Sequence, residues 1–278
     1  MHGAMDTKFL CMNGRLEGKV AIVTGGANGI GEATARLFAH HGARVVIADI
    51  EDEKAMQLVR ELGEEVVAYK HCDVSEESDV QSLVAFTIAK WGKLDIMHNN
   101  AGILSATRSK EVSTMDMNDF DRVMSVNTRG MALGVKHASK VMIEAKVKGS
   151  IICTCSVAGI KGGTSTVAYT VSKHAVVGLM RAAASDLAKY GIRVNCLSPA
   201  GMVTPLVMKT LQQMKPSVTE KEVQKAFDEV SIFRGHSLSP LDIAQGALYL
   251  ASDEAAFISG HNLIIDGGRT ATLAPISV

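Results

Sequence analysis

Tyr169 and Lys173 stand four residues apart in the stretch Tyr169-Thr170-Val171-Ser172-Lys173. On a helix, residues i and i+4 share one face, so the ammonium can lie beside the phenol and favour its ionised form. At a separation of about 4 Å and an effective dielectric near 20, such a pair interacts by roughly 4 kcal/mol, enough to make the phenol a usable acid/base group. An ordinary helix surface carries the same pair, so its neighbours decide. Ser156 ends the apolar run Ser150-Ile151-Ile152-Cys153-Thr154-Cys155 and opens the loop Val157-Ala158-Gly159. A hydroxyl at the end of a buried strand can face a ligand.

The segments that must position these groups alternate between strand and helix. An apolar strand over 19–24 enters Gly25-Gly26-Ala27-Asn28-Gly29-Ile30-Gly31, and a helix follows over 32–41. Glycine at 25, 29 and 31 lets the backbone turn tightly and approach a pyrophosphate, whose charge the helix N-terminus then meets. A plain tight turn has the same composition. A second strand over 44–49 ends in Asp49, 18 positions after Gly31, where an acid suits a ribose diol. Its carboxylate would accept from the 2′- and 3′-hydroxyls and repel a 2′-phosphate. No Arg or Lys stands in the glycine turn or directly after Asp49, which favours NAD over NADP. Capping the next helix, over 51–62, is a role Asp49 can hold at the same time.

A third strand over 66–71 leads to Asp73, placed to receive an adenine amino group, and Ser75 opens a helix to about Trp91. The fourth strand, over 94–98, is followed by Asn99-Asn100-Ala101-Gly102, whose small residues would let backbone lie against a cofactor. A helical region over 116–146 contains Asn127, either a satisfied core amide or part of a proton relay. Strands over 150–155 and 193–197 flank a helix over 166–190 that carries Tyr169 and Lys173. Residues 202–235 are Met-rich and charged, an insertion that forms a substrate lid or packs onto the core. A helix over 240–251 and a strand and turn over 262–268 close the pattern. The expected fold is α/β, a Rossmann-like, doubly wound parallel sheet of about seven strands with helices on both faces. It forms a single domain over 16–278 behind a flexible tail over 1–15, with ligands at the strands' carboxyl ends.

Composition limits the alternatives. The 278 residues are 47% hydrophobic and 21% charged, with a net charge of zero, which suits one large core. No Lys/Arg block tracks a phosphate backbone, so nucleic acid is not an expected partner. The five cysteines, Cys11, Cys72, Cys153, Cys155 and Cys196, show neither metal spacing nor a disulfide framework, and no metal is expected. No apolar run reaches the roughly 18 residues of a membrane span, and the N-terminus lacks an apolar signal core. A soluble, cytoplasmic protein with no membrane partner is the expectation.

Taken together and in order, these motifs resemble the short-chain dehydrogenase/reductases, over residues 16–268. They comprise Thr24 through Gly31, Asp73, Asn99 through Gly102, Asn127, Ser156, Tyr169 through Lys173, and Pro199 through Thr204. The resemblance implies a tetrad of Asn127, Ser156, Tyr169 and Lys173. In it Tyr169 is the acid/base, Ser156 holds the substrate oxygen, Lys173 also binds the nicotinamide ribose, and Asn127 helps hold a relay water. It implies an NAD site built from Gly25, Asn28, Gly29, Ile30, Gly31, Asp49, Asp73 and Val74, continued by Asn99, Ala101, Gly102, Tyr169, Lys173, Met202 and Thr204. Pro199-Ala200-Gly201 departs from the family's usual Pro-Gly pair, which leaves the backbone path at the nicotinamide pocket open. The stretches His40 through Ile50 and Ser172 through Gly178 look like the plant branch with secoisolariciresinol, borneol, isopiperitenol and xanthoxin dehydrogenases. By analogy the protein is a homotetramer.

The implied activity is reversible, NAD-dependent oxidation of a secondary alcohol to a ketone on a small apolar cyclic substrate, a terpenoid such as borneol or isopiperitenol. The competing readings are a lignan or steroid alcohol dehydrogenase, an NADPH-dependent carbonyl reductase, and a dinucleotide-binding regulator without turnover.

Overall fold

The computed structural model describes residues 14–106, 111–233 and 235–272. Seven strands form one sheet: β1 (Val20–Thr24), β2 (Arg44–Asp49), β3 (Val67–His71), β4 (Ile96–Asn99), β5 (Ser150–Thr154), β6 (Arg193–Pro199) and β7 (Asn262–Ile265). Their order is β3-β2-β1-β4-β5-β6-β7, and every neighbouring pair is parallel. The expected doubly wound sheet is therefore present.

Parallel neighbours require crossovers, and helices supply them: α1 (Gly29–His40), α2 (Asp52–Leu62), α3 (Glu77–Trp91), α4 (Met117–Met124), α5 (Met131–Glu144) and α6 (Val167–Leu187). Beyond β6 come α7 (Pro205–Met214), α8 (Glu220–Val230) and α9 (Pro240–Ala251). Because strand side chains alternate between faces, the inner strands serve two cores. Ala21, Val23, Val45 and Ile47 pack with Ala35 and Phe38 of α1, Leu58 of α2, and Ala247 and Leu248 of α9. On the opposite face Ile22, Val46, Ile151 and Val194 pack with Leu83 of α3, Met142 of α5, and Val176 and Met180 of α6. Two buried faces explain why these strands read as continuous apolar runs.

Helix ends differ from the expected ones by a few residues, and one difference bears on the site. The expected helix over 116–146 is α4 and α5 joined by a π-helical turn, Ser125–Gly130, and Asn127 lies within that turn. Residues 1–13 of the expected tail lie outside the described residues. Gly14 and Arg15 already belong to the domain: a Cβ on Gly14 would lie 2.1 Å from the His41 carbonyl oxygen, and Arg15 pairs with Glu254. The insertion over 202–235 contains α7 and α8, and Thr219 and Glu222 form a capping box that starts α8. Met202 and Met208 are buried. Among the described residues no helix is long and apolar enough to cross a membrane. Nor do three metal-ligating side chains cluster there. Cys72, Cys153, Cys155 and Cys196 are buried free thiols.

Candidate active site

A cavity of about 840 Å³ opens at the carboxyl ends of the strands, where the order reverses between β1 and β4. The glycine turn forms one wall. Gly25 takes φ +62°, and a Cβ there would lie 2.9 Å from the Ala101 Cα. The turn is thus pressed against the Asn99–Gly102 segment with no room for a side chain. Asn100 ties the two together: its Nδ2 donates to the carbonyls of Thr24 (3.0 Å) and Gly25 (3.2 Å). The Thr24 hydroxyl accepts from the backbone N–H groups of Asn100 (2.9 Å) and Ala101 (3.1 Å). The first intrahelical bond of α1 runs from Glu32 N–H to the Asn28 carbonyl. The N–H groups of Gly29, Ile30 and Gly31 precede it, the arrangement that receives an anion.

Asp49 lines the same cavity and is 8% exposed. Its Oδ2 accepts from Ala27 N–H (2.9 Å) and its Oδ1 from the N–H groups of Ile50 (2.8 Å) and Glu51 (3.0 Å). The carboxylate therefore locks the glycine turn to the end of β2 and holds the backbone just ahead of α2, whose N-cap is Glu51, so the expected cap by Asp49 is not made. Glu51 and Lys54 also line this end and form an ion pair, and Asn28 Nδ2 lies 3.4 Å from Glu51 Oε2. Neither residue had a signal in the sequence beyond proximity to Asp49. Asp73 and Val74 line this end as well, with Asp73 Oδ1 accepting from Ser75 N–H and Oγ. Cys72 beside them is held protonated, its thiol pushed up to about 12 by burial.

Tyr169 and Lys173 line the opposite end on one face of α6. The Lys173 ammonium is 5.5 Å from the Tyr169 ring centroid and donates to the Thr154 carbonyl at 2.9 Å. The lysine is only 3% exposed, so that carbonyl fixes it within the cavity wall. Gly102 faces it closely: a Cβ there would lie 3.6 Å from Lys173 Nζ and 3.2 Å from Asn127 Oδ1. Asn127 itself is fully buried and fully bonded. Its Oδ1 accepts from Ile103 N–H (2.8 Å), and its Nδ2 donates to the Ile103 carbonyl (2.9 Å) and Ser172 Oγ (3.1 Å). Ser172 Oγ in turn donates to the Tyr169 carbonyl (2.8 Å). Asn127 thus braces the start of α6 against the loop after β4. Ser172 and Thr154 were missed as supports. A polar residue within an apolar strand was the available signal for Thr154.

Ser156 caps the single turn Val157–Gly159, its Oγ accepting from Ala158 N–H at 3.1 Å. Thr204 caps α7 and lines the cavity, its Cβ 3.7 Å from where a Cβ on Gly29 would be. The start of α7 is thereby set against the glycine turn. Five expected site residues, Gly31, Asn99, Asn127, Ser156 and Met202, are not among those lining the cavity. Gly31 sits behind the turn, and Asn99 points its amide at Cys153 Sγ and at Gly134 instead. Ala200 and Gly201, the departure from Pro-Gly, lie against the insertion: a Cβ on Gly201 would lie 2.4 Å from Phe227 of α8. Gly201→Ala is therefore expected to push α8 outward, raising KM for the substrate several-fold with little change in cofactor affinity, as steady-state kinetics with each varied in turn would read.

The residues fit a dinucleotide: a glycine turn with no room for a Cβ at Gly25 or Gly31, a helix N-terminus beside it and an acid at the far rim. Comparison with known proteins agrees. A family model described as enoyl-(acyl carrier protein) reductase matches residues 25–270. Across 264 residues the chain is 47% identical to secoisolariciresinol dehydrogenase of Forsythia intermedia, covering 95% of this chain and 93% of that protein. It is also 47% identical, across 254 residues, to borneol dehydrogenase, mitochondrial, of Lavandula x intermedia, covering 91% of each. The crystal structure of levodione reductase matches with a TM-score of 0.84 at 33% identity, covering 93% of this chain and 100% of that one. Fold and site define an oxidoreductase of the nicotinamide-dinucleotide class. The chain belongs to the short-chain dehydrogenase/reductase family.

Proposed function

We propose that this protein is an NAD-dependent alcohol dehydrogenase that reversibly oxidises a secondary alcohol to a ketone on an apolar cyclic skeleton, with a terpenoid as the substrate class. The observation that carries the reading is the Tyr169–Lys173 face lining one end of a cavity whose other end carries Asp49. The bound dinucleotide supplies the hydride acceptor. Tyr169 takes the hydroxyl proton, with Lys173 on the same face of α6. With Ala158 N–H donated to Ser156 Oγ, the serine keeps its own proton to give to the substrate oxygen. Asn127 holds the start of α6 and the loop after β4 at fixed spacing, and so orients both Tyr169 and Lys173.

Ile103, Val126, Leu206 and Met208 offer an apolar wall to the substrate. The segment over 202–235 acts as its lid, since α7 contributes Leu206, Met208 and Gln212 to the cavity. A lid of this kind keeps water from the transfer. The names of the two plant relatives, one a lignan and one a terpenoid dehydrogenase, support an alcohol of this type. Homotetramer assembly is supported by the edge strand β7, with Ile264 exposed on it, and by the exposed apolar side chains of Leu241 and Phe257. A cytoplasmic location belongs to the same reading.

NAD preference rests on Asp49, with Glu51 pairing with the nearby cation Lys54. Asp49→Ala is expected to narrow the preference for NAD over NADP by at least ~10-fold, since like charges about 4 Å apart near a surface repel by roughly 4 kcal/mol. Paired kinetics with both cofactors give the ratio, and an unchanged ratio would mean that another group reads the ribose. The activity itself is tested by NADH formation from NAD⁺ with borneol, isopiperitenol, lignan lactols and 3-hydroxysteroids. Turnover confined to one skeleton assigns the class. NAD⁺ binding without turnover across the whole panel favours a dinucleotide-binding regulator.

A further inference from the structure

β4 is apolar except where it ends, and its third residue is a histidine. His98 is fully buried, its ring 6.5 Å from that of Phe38 and its Nε2 2.9 Å from Thr154 Oγ1 on the neighbouring strand β5. Burial holds the imidazole neutral, pushed down to about 3, so one ring nitrogen carries the proton and the other does not.

The neighbours decide which. Asn100 Nδ2 gives its protons to the Thr24 and Gly25 carbonyls, so its Oδ1 is the atom that meets Thr154, and it can only accept. The single proton of the Thr154 hydroxyl goes to that oxygen at 3.1 Å. Thr154 Oγ1 can then meet His98 only as an acceptor, and Nε2 must be the donor. Nδ1 is left with a bare lone pair and has no partner. Burying an acceptor unpaired is unfavourable, and a phenylalanine or leucine would fill the same apolar site without that cost. Packing alone therefore does not account for the histidine.

We propose that His98 is a positioning residue whose fixed Nε2–H donates to Thr154 and thereby sets the cofactor turn and the catalytic lysine in one frame. Thr154 is the branch point. Its hydroxyl passes the bond to Asn100 and so to the carbonyls of the glycine turn, while its own carbonyl receives the Lys173 ammonium. The directed chain spans both ends of the cavity without touching substrate. Its meaning for turnover rests on the dehydrogenase reading, but its direction does not.

Nitrogen-15 NMR of histidine-labelled protein at neutral pH reads the tautomer directly, with His98→Gln identifying the signal. The expected pattern is a protonated Nε2 and an unprotonated Nδ1; the opposite tautomer, or an imidazolium, overturns the proposal. NAD⁺ titration then reads the consequence. His98→Phe is expected to weaken binding by about fivefold, the worth of one neutral buried hydrogen bond. His98→Gln, which places an amide N–H near the position of Nε2, is expected to return affinity to within about twofold of the original. In a Thr154→Val background His98→Phe is expected to add nothing, because the chain is already cut. Equal losses for Phe and Gln, or additive losses in the double variant, overturn the assignment. Failure of the unaltered protein to bind NAD⁺ counts against the dehydrogenase reading, and the tautomer still tests the wiring.

Discussion

Tyr169→Phe is expected to lower kcat by ~10³-fold or more while changing NAD⁺ affinity by less than about twofold, consistent with the loss of one general acid/base group. The substitution keeps the ring that stands 5.5 Å from Lys173 Nζ, and it leaves the Tyr169 carbonyl that accepts from Ser172. Only the hydroxyl disappears. Cofactor binding is expected to survive because the glycine turn and Asp49 line the other end of the cavity. Single-turnover kinetics beside fluorescence titration separate the two quantities. Near-normal turnover would remove Tyr169 from the chemistry and return the Tyr169–Lys173 pair to a structural role.

A second large effect is expected from a single methyl group behind the turn. A Cβ on Gly31 would lie 1.9 Å from the Gly25 carbonyl oxygen and 2.8 Å from Asn100 Nδ2. The first atom is backbone and the second is the amide that clamps the turn, so neither can yield without opening the cradle. Gly31→Ala is expected to weaken NAD⁺ binding by ~100-fold or more and to destabilise the fold by a few kcal/mol, the scale of other overpacked cores. Calorimetric titration and thermal unfolding would read both. Ordinary affinity in a stable Gly31→Ala protein would mean that the turn does not hold the dinucleotide.

The framework was legible because it depends on short-range signals. Apolar runs ending in glycine, as at 20–25, and acids at strand ends, as at Asp49, follow from backbone sterics and from burial on two faces. Tyr169 and Lys173 were legible because helix periodicity alone puts them on one face. The supports were not. Thr154 holds Lys173 with its backbone carbonyl, a group every residue has, so its polar type signals only the hydroxyl's bonds to Asn100 and His98. Ser172 reads as an unremarkable residue between Tyr169 and Lys173, and only the packing of the π-turn against α6 brings Asn127 to it. Asn99 shows the converse. Its motif suggested cofactor contact, but strand alternation turns its side chain toward Gly134 and leaves Asn100 to face the turn. Glu51 and Lys54 depend on how α2 leaves the end of β2, a geometry that composition does not encode.

The π-turn between α4 and α5 has a consequence for inheritance. In an α-helix each residue advances the side-chain direction by about 100°, and a π-turn accommodates one extra residue without breaking the rod. Residues 125–130 therefore act as a phase shifter: α4 and α5 form one continuous rod, but their faces are offset by one residue. A one-codon deletion there would leave length, hydrophobicity and helix propensity almost unchanged, yet rotate Asn127 away from Ile103 and Ser172. Tolerance to substitution and tolerance to a change of reading length are separate properties in this chain, and this segment is where they part.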